Sequence, residues 1–366
     1  MKSSRAIRII TSLSVGVVLI ASLSWLGLGQ VSGQISRIDV FGSLKDRPEK
    51  TSRALNYLVV GSDTREGLTK AQIKALRVGS TAVAAGGRSD TMLLVHISKA
   101  RDKAVLVSIP RDTYALIPEH LNKSGKMVPA AHSKINSAFN WGGAPLLIQT
   151  LEQMTQLKID HYVEVNFAGF ARVVDSLGGI EVCTKKDIDD PKSHLVLAAG
   201  VHTLNGIEAL KYVRTREFDG LGDLGRMQRQ QAFMSSVIKK ATSAGVLLNP
   251  ITMTNFINSS LAAVTTDEGL KNSDLITLAK QMKSLATSNV RTLTVPLSNL
   301  NYYANGVTAS VLWDPVLAPE LWDRLREDRA VIDEVTPSPS PSSTKSAEVE
   351  IVDKFKTRTA EDNICR

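Results

Sequence analysis

The chain has 366 residues, a formal net charge of +8 and a globular composition with 43% hydrophobic and 22% charged residues. This length accommodates one large domain or two ordinary ones, and the positive charge suits nucleic acid, an anionic membrane or an anionic polymer as partner. The sequence has no zinc-finger spacing, basic zipper or aromatic RNA-binding motif, so no nucleic-acid partner is expected. The basic residues are mostly scattered, and the one dense cluster alternates with aspartates.

A membrane anchor is predicted at the N-terminus. Residues 9–28 contain no charged side chain and follow a basic segment, residues 1–8. An apolar run of about 20 residues can cross a bilayer as a helix, and its positive flank places the N-terminus in the cytoplasm and the remainder outside. The alternative is a signal peptide cleaved near Val31–Gly33, although the apolar run is long for one. Residues 29–52 are predicted to form a polar stalk.

The following segment is predicted to alternate strands with helices, which is typical of an α/β domain. Strands are expected at Asn56–Val60, Met92–Ile97, Ala104–Ile109, Tyr162–Val165, Ile180–Val182 and Val290–Val295, the last of the domain. Helices are expected at Lys70–Arg77, Pro145–Met154, Phe167–Leu177, Gly206–Lys211, Leu224–Thr242 and Ser273–Ala286. The short turn between the second and third strands predicts a hairpin, so the central sheet should be mixed.

Composition sets the outer boundaries of this domain. Residues 53–335 are predicted to form it, residues 336–346 are a Pro/Ser linker without a core, and residues 347–366 are a C-terminal tail. The two cysteines, Cys183 and Cys365, form an even count in an exported chain. A disulfide between them is therefore expected, with two unpaired thiols as the alternative.

Four segments combine arginine with aspartate beside predicted strands: Gly61–Arg65, Arg88–Thr91, Pro110–Asp112 and Tyr212–Gln231. Ligands of open α/β sheets bind beyond the carboxyl ends of the strands. Arginine matches phosphate oxygens, and carboxylates can hold Mg²⁺ together with a substrate phosphate. A lone Arg–Asp pair is more often a structural ion pair, but four such segments predict a phosphate or pyrophosphate site with a metal ion.

The last of the four segments is expected to clamp the phosphates. If Tyr212–Glu217 is extended, Arg214 and Arg216 project to one side. Arg226 and Gln230 are four residues apart on the following helix and therefore share a face.

The start of that helix favours an anion. Asp223 is predicted to be its N-cap, and the free N–H groups of the first turn lie beside Arg226. Arg229 is expected to face solvent. The apolar segments 145–157, 167–177 and 233–238 are core by default, with a groove for a lipid tail as the alternative.

These motifs resemble those of the LytR-CpsA-Psr family. The matching segments are Val59–Arg65, Arg88–Thr91, Ser108–Asp112, Lys134–Asn136, Asp175–Val182, Leu204–Gly206 and Tyr212–Gln231. They are long and ordered, and they extend from about Leu55 to Thr242 (residues 55–242). The resemblance implies an α/β/α sandwich around the mixed sheet, with an apolar groove for a polyprenyl chain. The cysteine pair resembles a stabilising disulfide of actinobacterial members.

The resemblance implies a cell-envelope phosphotransferase. It would move an anionic glycopolymer from a polyprenyl-pyrophosphate carrier to peptidoglycan through a phosphodiester. By position, Asp63 and Asp90 are similar to the family's metal-binding aspartates, with Mg²⁺ or Mn²⁺ as cofactor. The residues similar to its pyrophosphate-binding side chains are Arg88, Arg111, Arg214, Arg216, Arg226 and Gln230. Catalysis is expected from Asp63, Asp90, Arg88 and Arg111, and the base is one of Asp63, Asp90 or Asp223.

Three alternatives stay open at this point. A membrane-anchored hydrolase of lipid pyrophosphates would use the same arginines and metal with water as acceptor, and such hydrolysis is also expected as a side activity. A receptor for an anionic lipid would need the arginines but not two metal-type aspartates. A transferase that glycosylates a surface protein would share all of these residues.

Overall fold

The computed structural model describes residues 35–64, 67–76, 89–122, 124–216, 222–241, 263–271, 287–335 and 350–359, with a few single positions between 220 and 277. The side chains of residues 89, 90, 223, 224, 334, 335, 350 and 351 lie outside this description. No helix in the described ranges is long and apolar enough to cross a membrane. The predicted anchor at residues 9–28 lies outside those ranges, as does most of the predicted helix Ser273–Ala286.

The strands, in chain order, are β1 (Ser36–Ile38), β2 (Leu55–Ser62), β3 (Ser89–Ile97), β4 (Ala104–Ile109), β5 (Tyr114–Ile117), β6 (His120–Leu121), β7 (Met127–Val128), β8 (Ala131–Lys134), β9 (His161–Asn166), β10 (Ile180–Thr184), β11 (Ile188–Asp190), β12 (Leu195–Leu197), β13 (Gly200–Leu204), β14 (Val264–Asp267), β15 (Val290–Thr294), β16 (Leu297–Ala304), β17 (Val307–Trp313), β18 (Asp333–Val335), β19 (Glu350–Val352) and β20 (Arg358–Thr359). The helices are α1 (Lys70–Leu76), α2 (Ile135–Thr155), α3 (Phe167–Ser176), α4 (Gly206–Arg214), α5 (Gly222–Ala241) and α6 (Leu317–Arg326).

An eight-stranded sheet with the order β1-β14-β9-β2-β3-β4-β15-β20 lies at the centre. Strand β2 is parallel to β9 and antiparallel to β3, β3 is antiparallel to β4, and β4 is parallel to β15. The predicted hairpin and the mixed sheet are therefore confirmed. Because β9, β2, β4 and β15 run in one direction, their carboxyl ends meet at one edge of the sheet, where β3 begins.

Helices pack on both faces of this sheet, because successive strand residues point to opposite sides. On one face, Leu58 packs in a core cluster with Leu147 of α2 and Trp322 of α6. On the other face, Leu93 packs in a cluster with Met234 of α5. Layered packing of this kind leaves the edge of the sheet, with its loops, available for a binding site.

The domain extends beyond the predicted boundaries at residues 53 and 335. In the predicted stalk, β1 pairs with β14 and Val40 is buried. In the predicted tail, β20 pairs with β15 and Phe355 is buried. The two outer strands of the sheet thus come from segments whose polar composition predicted that they lie outside it. The expectation that Val290–Val295 is the last strand is also wrong, because the antiparallel hairpin β16–β17 follows it.

Helix α2 differs from the prediction at its start, whereas α4 begins at the predicted Gly206 and extends beyond the predicted Lys211 to Arg214. Helix α2 begins at Ile135 rather than Pro145, and Gly143, with φ 67° and ψ −158°, interrupts it. Pro145 therefore lies in the first turn after the break, where its missing N–H costs no hydrogen bond. Helix α4 begins with a capping box between Asn205 and Glu208. A Cβ on Gly206 would lie 2.4 Å from the carbonyl oxygen of Ala171, so only glycine allows α4 to pack this closely on α3.

A buried histidine ties β3 to the loop after α6. The Nδ1 atom of His96 lies 2.7 Å from Oδ1 of Asn56, and its Nε2 lies 3.2 Å from Oδ1 of Asp328. Burial lowers the pKa of His96 from its usual 6.5, although the hydrogen bond and charge of Asp328 oppose this. Below about pH 6.5 the unfolded chain therefore binds a proton that the folded chain does not, and stability falls as pH falls.

We expect the His96→Gln variant to lose part of this acid sensitivity. As the pH drops below 6.5, His96 should lower the wild-type free energy of unfolding by up to about 1.4 kcal/mol per pH unit. The free energy of unfolding of the variant should therefore depend less steeply on pH. Denaturant unfolding between pH 5 and 7.5, about one unit on either side of the ordinary histidine pKa, measures both slopes. The exposed His132→Gln variant is the control and should keep the wild-type slope. Equal slopes in wild type and His96→Gln would contradict this reasoning.

Candidate functional site

An apolar groove with a volume of about 570 Å³ lies between the sheet and three helices. Its apolar lining comes from β2, β3, β4, α3, α4 and α5 and includes Val59, Leu93, Leu106, Phe170, Val173, Val174, Leu210, Val213, Phe233, Met234 and Val237. The alternative that some predicted core helices line a groove is therefore confirmed. A groove of this size and character suits a hydrocarbon chain.

Several positively charged side chains also line this groove. Arg214, Arg216, Arg226 and Lys192 line it together with Gln230. The lining also includes Ser62 and Asn166, the last residues of β2 and β9, so the groove reaches the carboxyl edge of the sheet. An apolar groove whose lining includes several cations is complementary to an amphiphilic anion such as a lipid phosphate.

The guanidinium of Arg214 lies against the aromatic lining of the groove. Its Cζ lies 5.3 Å from the ring centroid of Phe167, the first residue of α3. A cation held over an aromatic face keeps its own position while its edge still offers hydrogen-bond donors. Arg214 is thus fixed against the apolar lining at the point where a charged headgroup would begin.

The placement of Arg214 and Arg216 differs from the prediction. The predicted extended segment Tyr212–Glu217 is helical at its start, because α4 continues to Arg214 and the chain leaves the helix only at Thr215, with ψ 138°. Glu217 lies outside the described residues. Both arginines nevertheless line the groove, since the turn between them is held from two sides. Arg229 donates from Nη2 to the Thr215 carbonyl at 2.5 Å, and the Arg216 N–H donates to Oδ2 of buried Asp190 at 2.5 Å.

Helix α5 holds this turn against the sheet. The prediction that Arg229 faces solvent is wrong, because the side chain is only 7% exposed. Gln230 donates from Nε2 to the carbonyl of Val213 at 3.1 Å. Gln231 donates from Nε2 to Oγ of Ser108 at 3.2 Å and to Oγ1 of Thr294 at 2.7 Å. Three consecutive residues of α5 thus connect the turn to the sheet.

A smaller cavity of about 260 Å³ adjoins the groove. Its lining includes Arg111 and Asp112, which follow β4, and residues of the β16–β17 hairpin. The two spaces share four lining residues: Thr91, Ser108, Arg226 and Gln230. Arg111 thus lies on one side of Arg226, and Arg214 and Arg216 lie on the other. Nε of Arg111 is 3.4 Å from Oδ2 of Asp112, whose Oδ1 is 3.1 Å from Nζ of Lys134.

The predicted metal-binding aspartates lie at a bulge on the same edge. Asp63 directly follows β2 and is partly buried. Gly61 pairs with Thr91 and Ser62 with Ser89, so Asp90 has no partner residue in β2. Bulges of this kind are common beside active sites because they redirect a side chain. The backbone thus places Asp63 and Asp90 on neighbouring chain segments, and aspartate is a residue type that suits Mg²⁺.

Several predicted residues lie outside the described part of the chain. Arg88 does so entirely, as do the side chains of Asp90 and Asp223. Asp223 is not the N-cap, because α5 already begins at Gly222. The described residues contain no group of three or more His, Cys, Asp or Glu that could hold a metal ion. The two-aspartate site therefore stays a prediction.

The predicted disulfide also stays a prediction. Cys183 lies on β10 and is 8% exposed. Cys365 lies outside the described residues.

The sequence matches known cell-wall proteins over most of its length. The model of the LytR_cpsA_psr family matches residues 32–318. The chain is 35% identical over 315 residues to the probable cell wall biosynthesis protein LcpB of Corynebacterium glutamicum, covering 86% of this chain and 69% of LcpB. It is 35% identical over 224 residues to the Bacillus subtilis polyisoprenyl-teichoic acid–peptidoglycan teichoic acid transferase TagT, covering 60% of each protein.

The fold leads to the same group of proteins. A structure of TagT bound to LIIa-WTA superposes with a TM-score of 0.58 at 27% identity, covering 80% of this chain and 99% of TagT. The LytR-Csp2A-Psr enzyme from Actinomyces oris superposes with a TM-score of 0.61 at 22% identity, covering 80% and 96%, and supports the fold alone. Because the family model covers most of the residues and the arginine-bearing motifs meet at one groove, the chain belongs to the LytR_cpsA_psr family.

Proposed function

We propose that the protein transfers an anionic glycopolymer from a polyprenyl-pyrophosphate carrier to peptidoglycan, forming a phosphodiester and releasing polyprenyl phosphate. One observation carries this proposal: an apolar groove of about 570 Å³ is also lined by Arg214, Arg216 and Arg226. A substrate that fits both parts has a long hydrocarbon chain joined directly to a multiply charged phosphate group. The names of relatives such as TagT, which describe transfer of a polyisoprenyl-linked polymer to peptidoglycan, support the same substrate class.

The side chains at this site contribute binding and electrostatic stabilisation. The groove would hold the polyprenyl chain, so that the pyrophosphate meets the arginines at its end. Phosphoryl transfer depends mainly on such positioning and on neutralising the charge that develops on the phosphate oxygens. The guanidinium of Arg214 lies over Phe167, and Asp190 and Arg229 hold the backbone of the turn at Thr215 and Arg216, so this turn needs little rearrangement as the reaction proceeds.

A divalent metal would complete this charge compensation. Asp63 and Asp90 are the residues that would hold Mg²⁺ or Mn²⁺, and the bound ion would supply further neutralisation of the pyrophosphate. The proximity of these two positions on neighbouring strands supports the assignment.

We further propose that residues 9–28 anchor the protein in the cell membrane, with the catalytic domain outside. The uncharged run and its basic flank support this topology. A polyprenyl carrier resides in the membrane, so anchoring would keep the groove close to its substrate. A disulfide between Cys183 and Cys365 would suit this location.

The first prediction concerns Arg216. We expect the Arg216→Ala variant to transfer glycopolymer at a rate lower by on the order of 10²-fold, because one fixed donor to the charged phosphate is lost. The assay follows attachment of a short polyprenyl-pyrophosphate glycan to peptidoglycan by the detergent-solubilised chain with Mg²⁺. Arg329→Ala is the control, since this arginine is half-exposed and pairs with Glu327. A near-normal rate in Arg216→Ala would contradict the assignment of Arg216 to phosphate binding. Phosphate release without transfer in the wild type would favour a hydrolase.

The second prediction concerns Arg229 as a positioning residue. We expect Arg229→Met, which keeps the side-chain length but not the donor to Thr215, to lower kcat by about 10-fold or more while the fold is retained, since small displacements of binding groups are costly. Arg229→Lys should recover part of this loss. Gln228→Met on the exposed side of α5 is the matched control. Steady-state kinetics and thermal unfolding together distinguish a positioning role of Arg229 from a structural one. A lower melting temperature with unchanged kcat would show a purely structural role.

A further inference from the structure

We propose that the smaller cavity binds a sugar ring of the acceptor, and that Asp112 accepts hydrogen bonds from its hydroxyl groups. This inference rests on the proposed function and assigns the second substrate of that reaction to a place in the fold. It also gives a role to Asp112, which belongs to the Pro110–Asp112 segment but has no part in holding the pyrophosphate.

The direction of attack points to this cavity. In phosphoryl transfer, the attacking oxygen and the leaving oxygen lie roughly in line on opposite sides of the phosphorus. The leaving group here is polyprenyl phosphate, whose chain would occupy the apolar groove. The acceptor must therefore approach from the side away from the groove. The smaller cavity lies there, because it meets the groove only at the shared lining of Thr91, Ser108, Arg226 and Gln230.

The bonds of the transfer step balance with no additional reactant. The acceptor hydroxyl oxygen forms a bond to the phosphorus that carries the glycopolymer, while the bond from this phosphorus to the bridging oxygen breaks. The electron pair of the broken bond leaves with polyprenyl phosphate. The proton of the hydroxyl is released to solvent.

The size of the cavity limits what it can hold. Its volume of about 260 Å³ lies just below the range of about 300–1,000 Å³ that is typical of small-molecule sites. It therefore accommodates one ring and not a length of polymer. The exposed position of Leu300 at its margin, with half of the residue accessible, leaves room for a glycan strand to continue into solvent.

The lining has the two kinds of surface that a sugar ring needs. Leu297, Leu300, Val311 and Met227 offer apolar contacts for the C–H face of a ring. Asp112 offers carboxylate oxygens for its hydroxyl groups, and a carboxylate only accepts hydrogen bonds. The charge-assisted bonds that such a group accepts are stronger than neutral ones.

The hairpin that closes the cavity is fixed to the chain that carries Asp112. The N–H of Val311 donates to the carbonyl of Asp112 at 2.8 Å, and Nε1 of Trp313 donates to Oγ1 of Thr113 at 3.1 Å. Tyr302 packs edge-on against Tyr114, with ring centroids 5.1 Å apart. The apolar lining from β16–β17 therefore keeps a constant distance from Asp112, which favours binding because little has to be ordered when the sugar enters.

Two variants test this assignment on the full chain. Leu300→Trp places a larger side chain at the cavity margin, and Asp112→Asn keeps the shape of the carboxylate but removes its charge. We expect each to raise the KM for a peptidoglycan glycan oligosaccharide at least several-fold at saturating donor. Leu300→Trp should leave the KM for the lipid-linked donor unchanged, whereas Asp112 also pairs with Arg111. Leu121→Trp on β6 is the matched control, because Leu121 is 59% exposed and does not line either space.

The outcomes separate this inference from the proposed function. Binding of an N-acetylglucosamine–N-acetylmuramic acid oligosaccharide in the absence of donor, followed by ligand-observed NMR, does not depend on turnover. Wild-type binding that both variants weaken supports the inference even if no transfer is detected. Unchanged acceptor KM and binding in both variants, or a raised KM for the donor alone, overturns it while leaving the transferase proposal in place. A wild-type chain that binds no oligosaccharide also overturns it.

Discussion

The site depends on holding several guanidinium groups together in the lining of an apolar groove. Like charges repel, and removing them from water is costly, so each must be fixed by the surrounding structure. Helix α5 supplies much of this support. Its side chains at 229–231 bind the Thr215 and Val213 carbonyls on one side and the hydroxyls of Ser108 and Thr294 on the other. The arginine-bearing turn is thereby attached to the sheet.

This attachment also explains why the groove and the smaller cavity meet at α5. Arg226 and Gln230 lie on one face of α5, and both the groove and the smaller cavity include them. The packing of α5 between the sheet and the end of α4 therefore separates an apolar compartment from a more polar one. A reaction whose leaving group is a lipid and whose nucleophile is a sugar needs two such compartments at one phosphate-binding point.

The sequence predicted the central part of this arrangement well, because it rests on local patterns. The hairpin β3–β4, the shared face of Arg226 and Gln230, and the position of Arg111 after a strand all follow from periodicity and turns. The boundaries of the domain could not be predicted in this way. Strands β1 and β20 are short, lie in polar segments and pair with distant parts of the chain.

Long-range contacts also determine the burial and position of individual side chains. Arg229 looked like a surface residue because nothing near it in the sequence shows that its partner is the carbonyl of Thr215. The clustering of Arg214 and Arg216 was foreseen for a different reason from the observed one, because a helix end fixed by Asp190 replaces the expected extended strand. The β16–β17 hairpin lies outside the strongest motifs, so no local pattern marked it as part of a site.

The most direct test of this account is a structure of the chain with a non-hydrolysable polyprenyl-pyrophosphate analogue and Mg²⁺. We expect the hydrocarbon chain to lie between Phe170 and Val237 in the groove and the pyrophosphate to lie beside Arg214, Arg216 and Arg226. The smaller cavity should remain free for a second substrate. A hydrocarbon chain in the smaller cavity, or a pyrophosphate remote from the arginines, would contradict it.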